Sequence, residues 1–190
     1  MLKRIFDIFF SIFALFFFGA ILVLFWILCG IDTKGNGIFN QDRIGQFGKL
    51  FKIYKLRTMC VSDDSISSFG AFLRKYKIDE LPQLWNVIIG NMSIVGPRPD
   101  IPGYYDLLKG EERNILKLKP GITSLASLKY VDEEYLLQQQ SNPKKYNDEV
   151  IFRDKVKMNL EYYNKGNYIS EDIKIISKTI GALAKTVFKK

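Results

Sequence analysis

The segment Ile78-Asp79-Glu80-Leu81-Pro82-Gln83-Leu84-Trp85-Asn86 places two adjacent carboxylates directly before apolar residues with helical spacing. Asp is a favoured N-cap residue, and proline is tolerated only in the first turn of a helix, so we expect a helix that begins at Asp79. Its apolar stripe consists of Leu81, Leu84, Trp85 and Ile88. The pattern thus predicts both acids at the N-terminus of a helix.

Asp79 and Glu80 have two interpretations at such a position. A carboxylate at the positive end of a helix dipole stays ionised, as a nucleophile or metal ligand must, and the free N–H groups there favour a phosphate. Two carboxylates and phosphate oxygens form a normal Mg²⁺ shell. Alternatively, Asp79 is only the helix cap and Glu80 only a favourable acid of the first turn. The acidic pair by itself leaves both interpretations open.

Arg98 stands between Pro97 and Pro99, each of which fixes its own φ angle near −65°. A guanidinium held in this way is preorganised for a planar or anionic partner such as a phosphate or a base, unless it is only a solvated arginine in a rigid loop. A basic strand that contains Lys55 and Arg57 is either a phosphate-binding face or a charged edge that prevents aggregation. These residues extend the candidate site beyond the acidic pair.

The composition of the chain narrows the possible chemistry. The 190 residues allow one domain plus at most one membrane segment, and 47% are apolar, which is enough for a core. The net charge of +8 favours phosphates, acidic lipids or nucleic acid as partners. The absence of histidine excludes His-based acid–base catalysis and Ser-His-Asp hydrolysis. Cys29 and Cys60 lie far apart, which is typical of a reducing compartment.

An uncharged apolar run over residues 8–31 dominates the N-terminus. As a helix it would be about 36 Å long, which is enough to cross a bilayer and too long for a cleaved signal peptide. Lys3 and Arg4 precede it and Lys34 follows it, so we expect a re-entrant helix that enters and leaves the membrane on one face. The bend would lie at Gly19-Ala20, and a helix that crosses the membrane fully is the alternative.

The remaining residues predict one hairpin and several helices. A β-hairpin is expected over residues 35–58, and helices over residues 68–77, 104–118 and 143–166, the last of which stops at Gly166-Asn167. A final helix capped by Ser170 has lysines, including Lys189 and Lys190, beside one apolar face, so it either packs on the core or lies at a membrane surface. That face consists of Ile173, Ile176, Ile180, Leu183 and Val187. The expected fold is mostly helical α+β, with several amphipathic helices at the membrane interface.

Seven blocks along the chain resemble the bacterial sugar transferases, the monotopic phosphoglycosyl transferases that start glycan assembly on a polyprenyl carrier. The blocks are Lys3-Arg4-Ile5-Phe6-Asp7, Asn40-Gln41-Asp42-Arg43-Ile44-Gly45, Tyr54-Lys55-Leu56-Arg57-Thr58-Met59, the segment from Asp79 to Asn86, Met92-Ser93-Ile94-Val95-Gly96-Pro97-Arg98-Pro99, Lys119-Pro120-Gly121-Ile122-Thr123 and Asp172-Ile173-Lys174-Ile175-Ile176. Their common order makes a chance match very improbable, and the length resembles the small form of the family that consists of the catalytic core.

The resemblance implies a mechanism with named residues. Asp79 would attack the β-phosphate of a UDP-sugar, release UMP and carry the phosphosugar until undecaprenyl (polyprenyl) phosphate takes it. Glu80, with Asp79, would bind Mg²⁺, and Arg98 in its loop of Pro97 and Pro99 would contact the nucleotide. The resemblance also implies that Lys55, Arg57 and Asp172 complete the polar site. Lys129 would stand in for a family arginine that has no clear counterpart here.

The resemblance further implies two parts and a location. Residues 1–33 would be the membrane-embedded re-entrant helix, and residues 34–190 a catalytic domain on the cytoplasmic face of the bacterial inner membrane. Two departures concern the Gly19-Ala20 position, where family members commonly have Ser-Pro, and residues 124–130, which replace a Gln-Val-Asn-Gly-Arg run. A competing hypothesis is a non-enzymatic, membrane-anchored module for acidic lipid or nucleic acid, although the chain lacks an aromatic and basic motif typical of nucleic-acid binding.

Overall fold

The computed structural model of the chain describes residues 2–166 and 168–188, which form eight α-helices and four β-strands. The helices are α1 (Leu2–Asp32), α2 (Ser68–Lys75), α3 (Gln83–Ile88), α4 (Leu125–Lys129), α5 (Glu133–Gln138), α6 (Pro143–Tyr146), α7 (Phe152–Lys165) and α8 (Tyr168–Phe188). The strands are β1 (Ile38–Ile44), β2 (Leu50–Leu56), β3 (Ser93–Val95) and β4 (Gly121–Thr123). The mostly helical α+β class is confirmed. Met1, the predicted helix stop at Asn167, and Lys189 and Lys190 lie outside the described residues.

Helix α1 is 31 residues long and stays helical through Gly19-Ala20. Among the described residues it is the one helix that is long and apolar enough, by length and composition, to cross a membrane. Only 11% of its most apolar window is buried inside the protein, so most of its phenylalanine, leucine and isoleucine side chains face outward. The long apolar helix is therefore present, and the re-entrant bend stays a prediction.

Both ends of α1 are held against the same domain. Near its start, Arg4 donates to the last carbonyls of α3, with Nη1 2.6 Å from Val87 O and Nη2 2.9 Å from Ile88 O. Near its end, Cys29 packs with Leu73 in a buried hydrophobic cluster. The helix thus shares one face with the core of the domain and leaves the other face exposed.

A buried polar network attaches the start of α1 to the last two helices. Lys3 forms an ion pair with Asp172 of α8, whose side chain is completely buried, and Tyr162 of α7 donates to the same carboxylate at 2.5 Å. One turn along α1, Asp7 accepts a 2.8 Å hydrogen bond from Ser93 of β3. These five residues, named here the N-terminal network, connect elements that are far apart in sequence.

Strands β1 and β2 form the predicted antiparallel hairpin, in which Ile38 is opposite Leu56 and Ile44 is opposite Leu50. The connection contains Phe47 and Gly48, both with positive φ (59° and 77°), which is the conformation that a tight hairpin connection needs. The hairpin prediction is therefore confirmed. Its inner face packs on the core through the buried side chain of Ile53.

The prediction of an α-helix that begins at Asp79 is wrong. Residues Ile78–Glu80 form a 3-10 turn, and α3 begins only at Gln83, after Pro82. The cause is Pro82 itself, which has no N–H to donate to the carbonyl of Ile78. That carbonyl accepts instead from Leu81 N at 3.1 Å, which tightens the backbone into 3-10 geometry. The Asp79 side chain is therefore not a helix cap.

The predicted helix over residues 104–118 is also wrong. The segment consists of two 3-10 stretches, Tyr105–Leu107 and Gly110–Lys117. Between them Leu108 and Lys109 are extended, and Gly110 has a φ of +56°, which an α-helix does not accommodate.

The second sheet was not predicted. Strand β3 pairs in parallel with β4, and the backbone N–H of Gly121 also bonds to Pro97 O at 2.8 Å. A Cβ atom on Gly121 would lie 2.1 Å from Gly96 N, so the close approach of these two segments requires glycine. The sheet fixes the backbone that leads into the Pro97-Arg98-Pro99 loop.

The C-terminal helices are present as predicted, but α8 turns a different set of residues toward the core than expected. The long helix starts where expected, since the Asn142 side chain accepts from Lys145 N at 3.1 Å, and it ends at Gly166 with a φ of +68°. Helix α8 begins at Tyr168, before the predicted cap, and buries Ile175 rather than Ile173 or Ile180. Of its predicted stripe, Ile173 and Ile180 are exposed and Ile176 packs against the core, so the core-facing alternative is confirmed only in part. The Val187 side chain lies outside the described residues, and the membrane-surface alternative stays a prediction.

Candidate active site

Two cations hold the carboxylate of Glu80. Arg98 donates to it through both ends of its guanidinium, with Nη1 3.1 Å from Oε2 and Nη2 2.5 Å from Oε1. Lys55 of β2 donates to Oε1 at 3.1 Å. Burial opposes ionisation of Glu80, but Arg98 and Lys55 outweigh it and lower its pKa to about 2. Glu80 is therefore a fixed negative charge at neutral pH.

Asp79 has the opposite environment. Its side chain is buried, and its Oδ1 atom has no hydrogen-bond partner among the described residues. Burial and the neighbouring charge of Glu80 raise its pKa, while Lys55 and Lys77 act in the other direction. An unsatisfied buried acceptor costs about 1–3 kcal/mol, and a poorly solvated carboxylate is a better nucleophile. Asp79 is thus suited to bind or attack an electrophile that the protein itself does not supply.

Asn86 fixes the acidic turn against the hairpin. Its side chain is completely buried, donates to Lys52 O at 2.7 Å and accepts from Tyr54 N at 3.1 Å. These bonds attach α3 to the strand that carries Lys55, so the Lys55–Glu80 pair depends on them. At the far end of α3, Lys119 donates to Gly90 O at 2.6 Å. Helix α3, which follows the turn with Asp79 and Glu80, is therefore held at two points.

The Pro97-Arg98-Pro99 loop brings Arg98 over Glu80 from a third element. Its backbone is fixed by the β3–β4 sheet, and the three residues line a narrow cleft beside Ile44 and Tyr105. The attraction of Glu80, assisted by Asp79, overcomes the burial of the Arg98 guanidinium and raises its pKa. The structure thus brings together four of the predicted site residues: Asp79, Glu80, Lys55 and Arg98.

Three other predicted site residues contact different groups. Arg57 donates to Asn36 O at 2.8 Å, and its guanidinium lies 5.5 Å from the centre of the Phe39 ring. Lys129 forms a half-exposed pair with Asp154 at 2.7 Å. Asp172 belongs to the N-terminal network. Their roles in substrate binding stay predictions.

One residue of the site was missed by sequence reasoning. Arg43 of β1 is close enough to Arg98 and Glu80 for both charges to affect its pKa. It lies inside the block Asn40-Gln41-Asp42-Arg43-Ile44-Gly45, which resembles the family, but its side chain reaches the site only because the hairpin register turns it inward. Its alternation along the strand was the signal that could have found it.

The carboxylate oxygens of Asp79 and Glu80 are of the kind that a magnesium ion prefers as ligands. Among residues 2–166 and 168–188, no cluster of three or more His, Cys, Asp or Glu side chains could hold a metal by itself. Mg²⁺ commonly takes only one or two carboxylates and fills its shell with substrate phosphate and water. The unpartnered Oδ1 of Asp79 and the remaining lone pairs of Glu80 match that pattern.

A model of the bacterial sugar transferase family matches residues 1–186 of the chain. The chain belongs to this family. The sugar transferase is 36% identical over 148 residues to the exopolysaccharide production protein PSS of Rhizobium leguminosarum bv. phaseoli, covering 68% of this chain and 74% of that protein. It is 32% identical over 196 residues to the UDP-glucose:undecaprenyl-phosphate glucose-1-phosphate transferase of Klebsiella pneumoniae, covering 94% of this chain and 39% of that protein.

A third relative of the sugar transferase is the undecaprenyl-phosphate galactose phosphotransferase of Salmonella typhimurium. It is 34% identical over 151 residues, which cover 65% of this chain and 32% of that protein. The sugar transferase thus spans most of the Rhizobium protein and about a third of the two longer enzymes. Family membership confirms the resemblance and makes the chain an enzyme of sugar-phosphate transfer rather than a non-enzymatic module.

Proposed function

We propose that this sugar transferase moves a sugar phosphate from a UDP-sugar to undecaprenyl phosphate through a covalent intermediate on Asp79. The observation that carries the proposal is the buried Oδ1 of Asp79, without a partner, beside a carboxylate that Arg98 and Lys55 keep ionised. The activities named for the Klebsiella and Salmonella relatives support the acceptor, and the first of them supports the UDP-sugar donor.

In the first proposed step, Oδ1 of Asp79 attacks the β-phosphorus of the donor. The bond from that phosphorus to the oxygen shared with the α-phosphate breaks, and its electron pair leaves with UMP. The product is an acyl phosphate between Asp79 and the phosphosugar. Lys55 and Arg98, whose charges converge here, stabilise the negative charge that develops on the phosphate oxygens.

In the second proposed step, a phosphate oxygen of undecaprenyl phosphate attacks the same phosphorus. The bond to Asp79 breaks, its electron pair returns to the carboxylate, and the product is an undecaprenyl diphosphosugar. Splitting the transfer into two displacements means that donor and lipid need not be bound together. One buried nucleophile therefore serves a soluble donor and a lipid acceptor in turn.

Glu80 and Asp79 are the residues that would hold Mg²⁺ in this proposal. When bound, Mg²⁺ would neutralise charge on the phosphate under attack. Glu80 also orients Arg98 and Lys55, since both donate to its oxygens. The low pKa of Glu80 keeps it available for these cations over the physiological pH range.

The proposal places α1 in the bacterial inner membrane and the catalytic domain on its cytoplasmic face. The exposed apolar face of α1 supports embedding in lipid. The contacts of Arg4 and Cys29 at opposite ends of α1 with one domain favour a re-entrant path for residues 1–33 over a full crossing. Lipid access would then lie beside the acidic pair, where α1 packs on α3.

The transfer is tested with a panel of UDP-sugars, membrane-bound protein, Mg²⁺ and undecaprenyl phosphate, with UMP release as the readout. We expect multiple turnovers with at least one sugar. Without the lipid, we expect a burst of about one UMP per protein molecule, because the intermediate forms but cannot discharge. Release of no UMP with any donor would contradict the transferase, and absence of the burst would contradict the covalent intermediate.

Replacement of Glu80 by glutamine is expected to lower kcat about 10²–10³-fold and to raise the Mg²⁺ concentration needed for half-maximal activity. The physical reason is the loss of the fixed charge that orients Arg98 and Lys55 and would bind the ion. A magnesium titration of initial rates measures both effects.

The matched control for this variant is Glu111→Gln, which neutralises an exposed glutamate outside the site. It should behave as the unaltered protein. A fall in kcat of the Glu80 variant with an unchanged magnesium requirement would show that Glu80 acts through the two cations alone and is not a metal ligand.

A further inference from the structure

Arg43 and Lys55 lie on the same face of the β-hairpin. In the register, Lys55 is opposite Phe39, Ile53 opposite Gln41, and Phe51 opposite Arg43. Cross-strand partners point to one side of a sheet, and this side is the one that buries Ile53 in the core. The two cations are separated by four residues of β1, which is about 14 Å along the strand. Lys55 thus marks the Asp79–Glu80 end of an inner face, and Arg43 the other end.

The guanidinium of Arg43 has unused donors. Its Nη2 donates to Gln41 Oε1 at 2.6 Å, and its Nη1 is 3.8 Å from Asp100 Oδ1, which is beyond hydrogen-bond distance. Its Nε is buried and has no partner among the described residues. Arg carries five N–H donors, and an unpaired buried donor is unfavourable. This side chain therefore needs a hydrogen-bond acceptor that the protein does not supply.

The charges around Arg43 favour an added anion. Burial lowers its pKa, Asp100 raises it, and the nearby charge of Arg98 lowers it again. Asp100 is a weak counter-ion, because burial raises its pKa and its Oδ1 already accepts from Ile101 N at 2.8 Å. Arg98 itself is occupied by Glu80. Of these two neighbouring guanidinium groups, Arg98 therefore has its counter-ion, whereas Arg43 keeps donors free.

The backbone keeps Arg43 beside Arg98. Ile44 N donates to Asp100 O at 2.9 Å, which attaches the end of β1 to the segment that leaves the Pro97-Arg98-Pro99 loop. About a fifth of the Arg43 side chain remains exposed, so a ligand that approaches from solvent can reach it.

We propose that Arg43 is a further substrate-binding residue, which donates its free N–H groups to the phosphate of the nucleotide part of the donor, the part that leaves as a nucleoside monophosphate. This inference rests on the proposed function for the identity of that nucleotide. The reacting phosphate lies at Asp79 near Lys55, so the remaining phosphate and its nucleoside extend past Arg98 toward Arg43. Arg43 then holds the leaving group rather than the transferred group.

The test is calorimetric titration of UMP into detergent-solubilised full-length protein. We expect Arg43→Ala to raise the Kd for UMP about 10–100-fold, as loss of a charge-assisted hydrogen bond does. The Kd of Arg43→Lys should lie between those of the unaltered protein and Arg43→Ala, because lysine keeps the charge but loses the planar pair of N–H donors. Uridine, which has no phosphate, should show the same Kd with all proteins.

Arg153→Ala is the matched control, because Arg153 is exposed and pairs with Glu112, 3.6 Å away. Its Kd for UMP should equal that of the unaltered protein. A Kd for Arg43→Ala equal to that of the control would overturn the inference, as would failure of the unaltered protein to bind UMP. If Arg43→Ala does not fold, Arg43→Lys and Arg43→Gln decide the matter, since only the glutamine loses the charge.

The two proposals fail separately in these measurements. Unaltered protein that binds UMP through Arg43 but releases none from any UDP-sugar contradicts the transfer reaction and leaves the anion site standing. Protein that releases UMP in multiple turnovers, while Arg43→Ala keeps the full affinity for UMP, contradicts only the role of Arg43.

Discussion

Asp79→Asn is expected to lower the rate of sugar-phosphate transfer by at least about 10⁴-fold, because the amide cannot form the acyl phosphate. The substitution preserves the shape of a buried side chain whose Oδ1 makes no hydrogen bond among the described residues, so the fold should survive. Intact-protein mass after mixing with a UDP-sugar, without lipid, gives a second readout. The unaltered protein should gain the mass of one phosphosugar, and the variant should gain none.

The control for this substitution is Asp64→Asn. Asp64 is exposed in the loop before α2 and has a φ of +56°, a conformation that asparagine tolerates well. It should retain full activity and form the adduct. Retention of more than about one hundredth of the activity by Asp79→Asn, or an adduct on that variant, would be incompatible with a nucleophilic role for Asp79.

Lys3→Met has the largest expected effect on stability, a loss of about 3–5 kcal/mol in the free energy of unfolding, because it leaves the buried carboxylate of Asp172 without its cation. Burial already raises the pKa of Asp172, although Lys3 and Tyr162 oppose this. In the variant that pKa rises further above its unfolded value. Stability is then kept at low pH and lost as the pH rises through the folded pKa.

Thermal unfolding in detergent at several pH values measures this effect. Lys157→Met, which neutralises an exposed lysine of α7, is the control and should leave the unfolding temperature nearly unchanged. The double variant Lys3→Met with Asp172→Asn should recover part of the loss, since no charge remains buried. Equal unfolding temperatures for Lys3→Met and Lys157→Met at neutral pH would show that the ion pair contributes little.

The local parts of the site could be predicted from the sequence. Residue type and neighbouring residues are enough to identify Asp79, Glu80 and the Pro97-Arg98-Pro99 loop as candidates. The structure brings their three charged groups together with Lys55. The hairpin was readable for the same reason, since its two strands and turn are contiguous. What these features share is that their signals span fewer than about 20 residues.

The remaining features depend on contacts that no window of sequence contains. Strands β3 and β4 have three residues each, too few for an alternating pattern, and they pair across 25 intervening residues. Arg43 becomes part of the site through strand register. Asp172 was assigned to the site, yet its partners in the structure are Lys3, 169 residues away, and Tyr162. Pro82 predicted a helix start, but the residues before it form a 3-10 turn. Local sequence preference does not distinguish the first turn of an α-helix from a 3-10 turn.

The N-terminal network also sets the order in which the protein can be completed during synthesis. Helix α1 leaves the ribosome well before α8, because Asp172 follows its partner Lys3 by 169 residues. Until Asp172 is made, Lys3 lacks its ion pair with that residue, and the exposed apolar face of α1 needs lipid or a chaperone. We therefore expect the nascent chain to wait at the membrane with α1 inserted, and the N-terminal network to form only after α8 is translated and the loop from Lys3 to Asp172 closes.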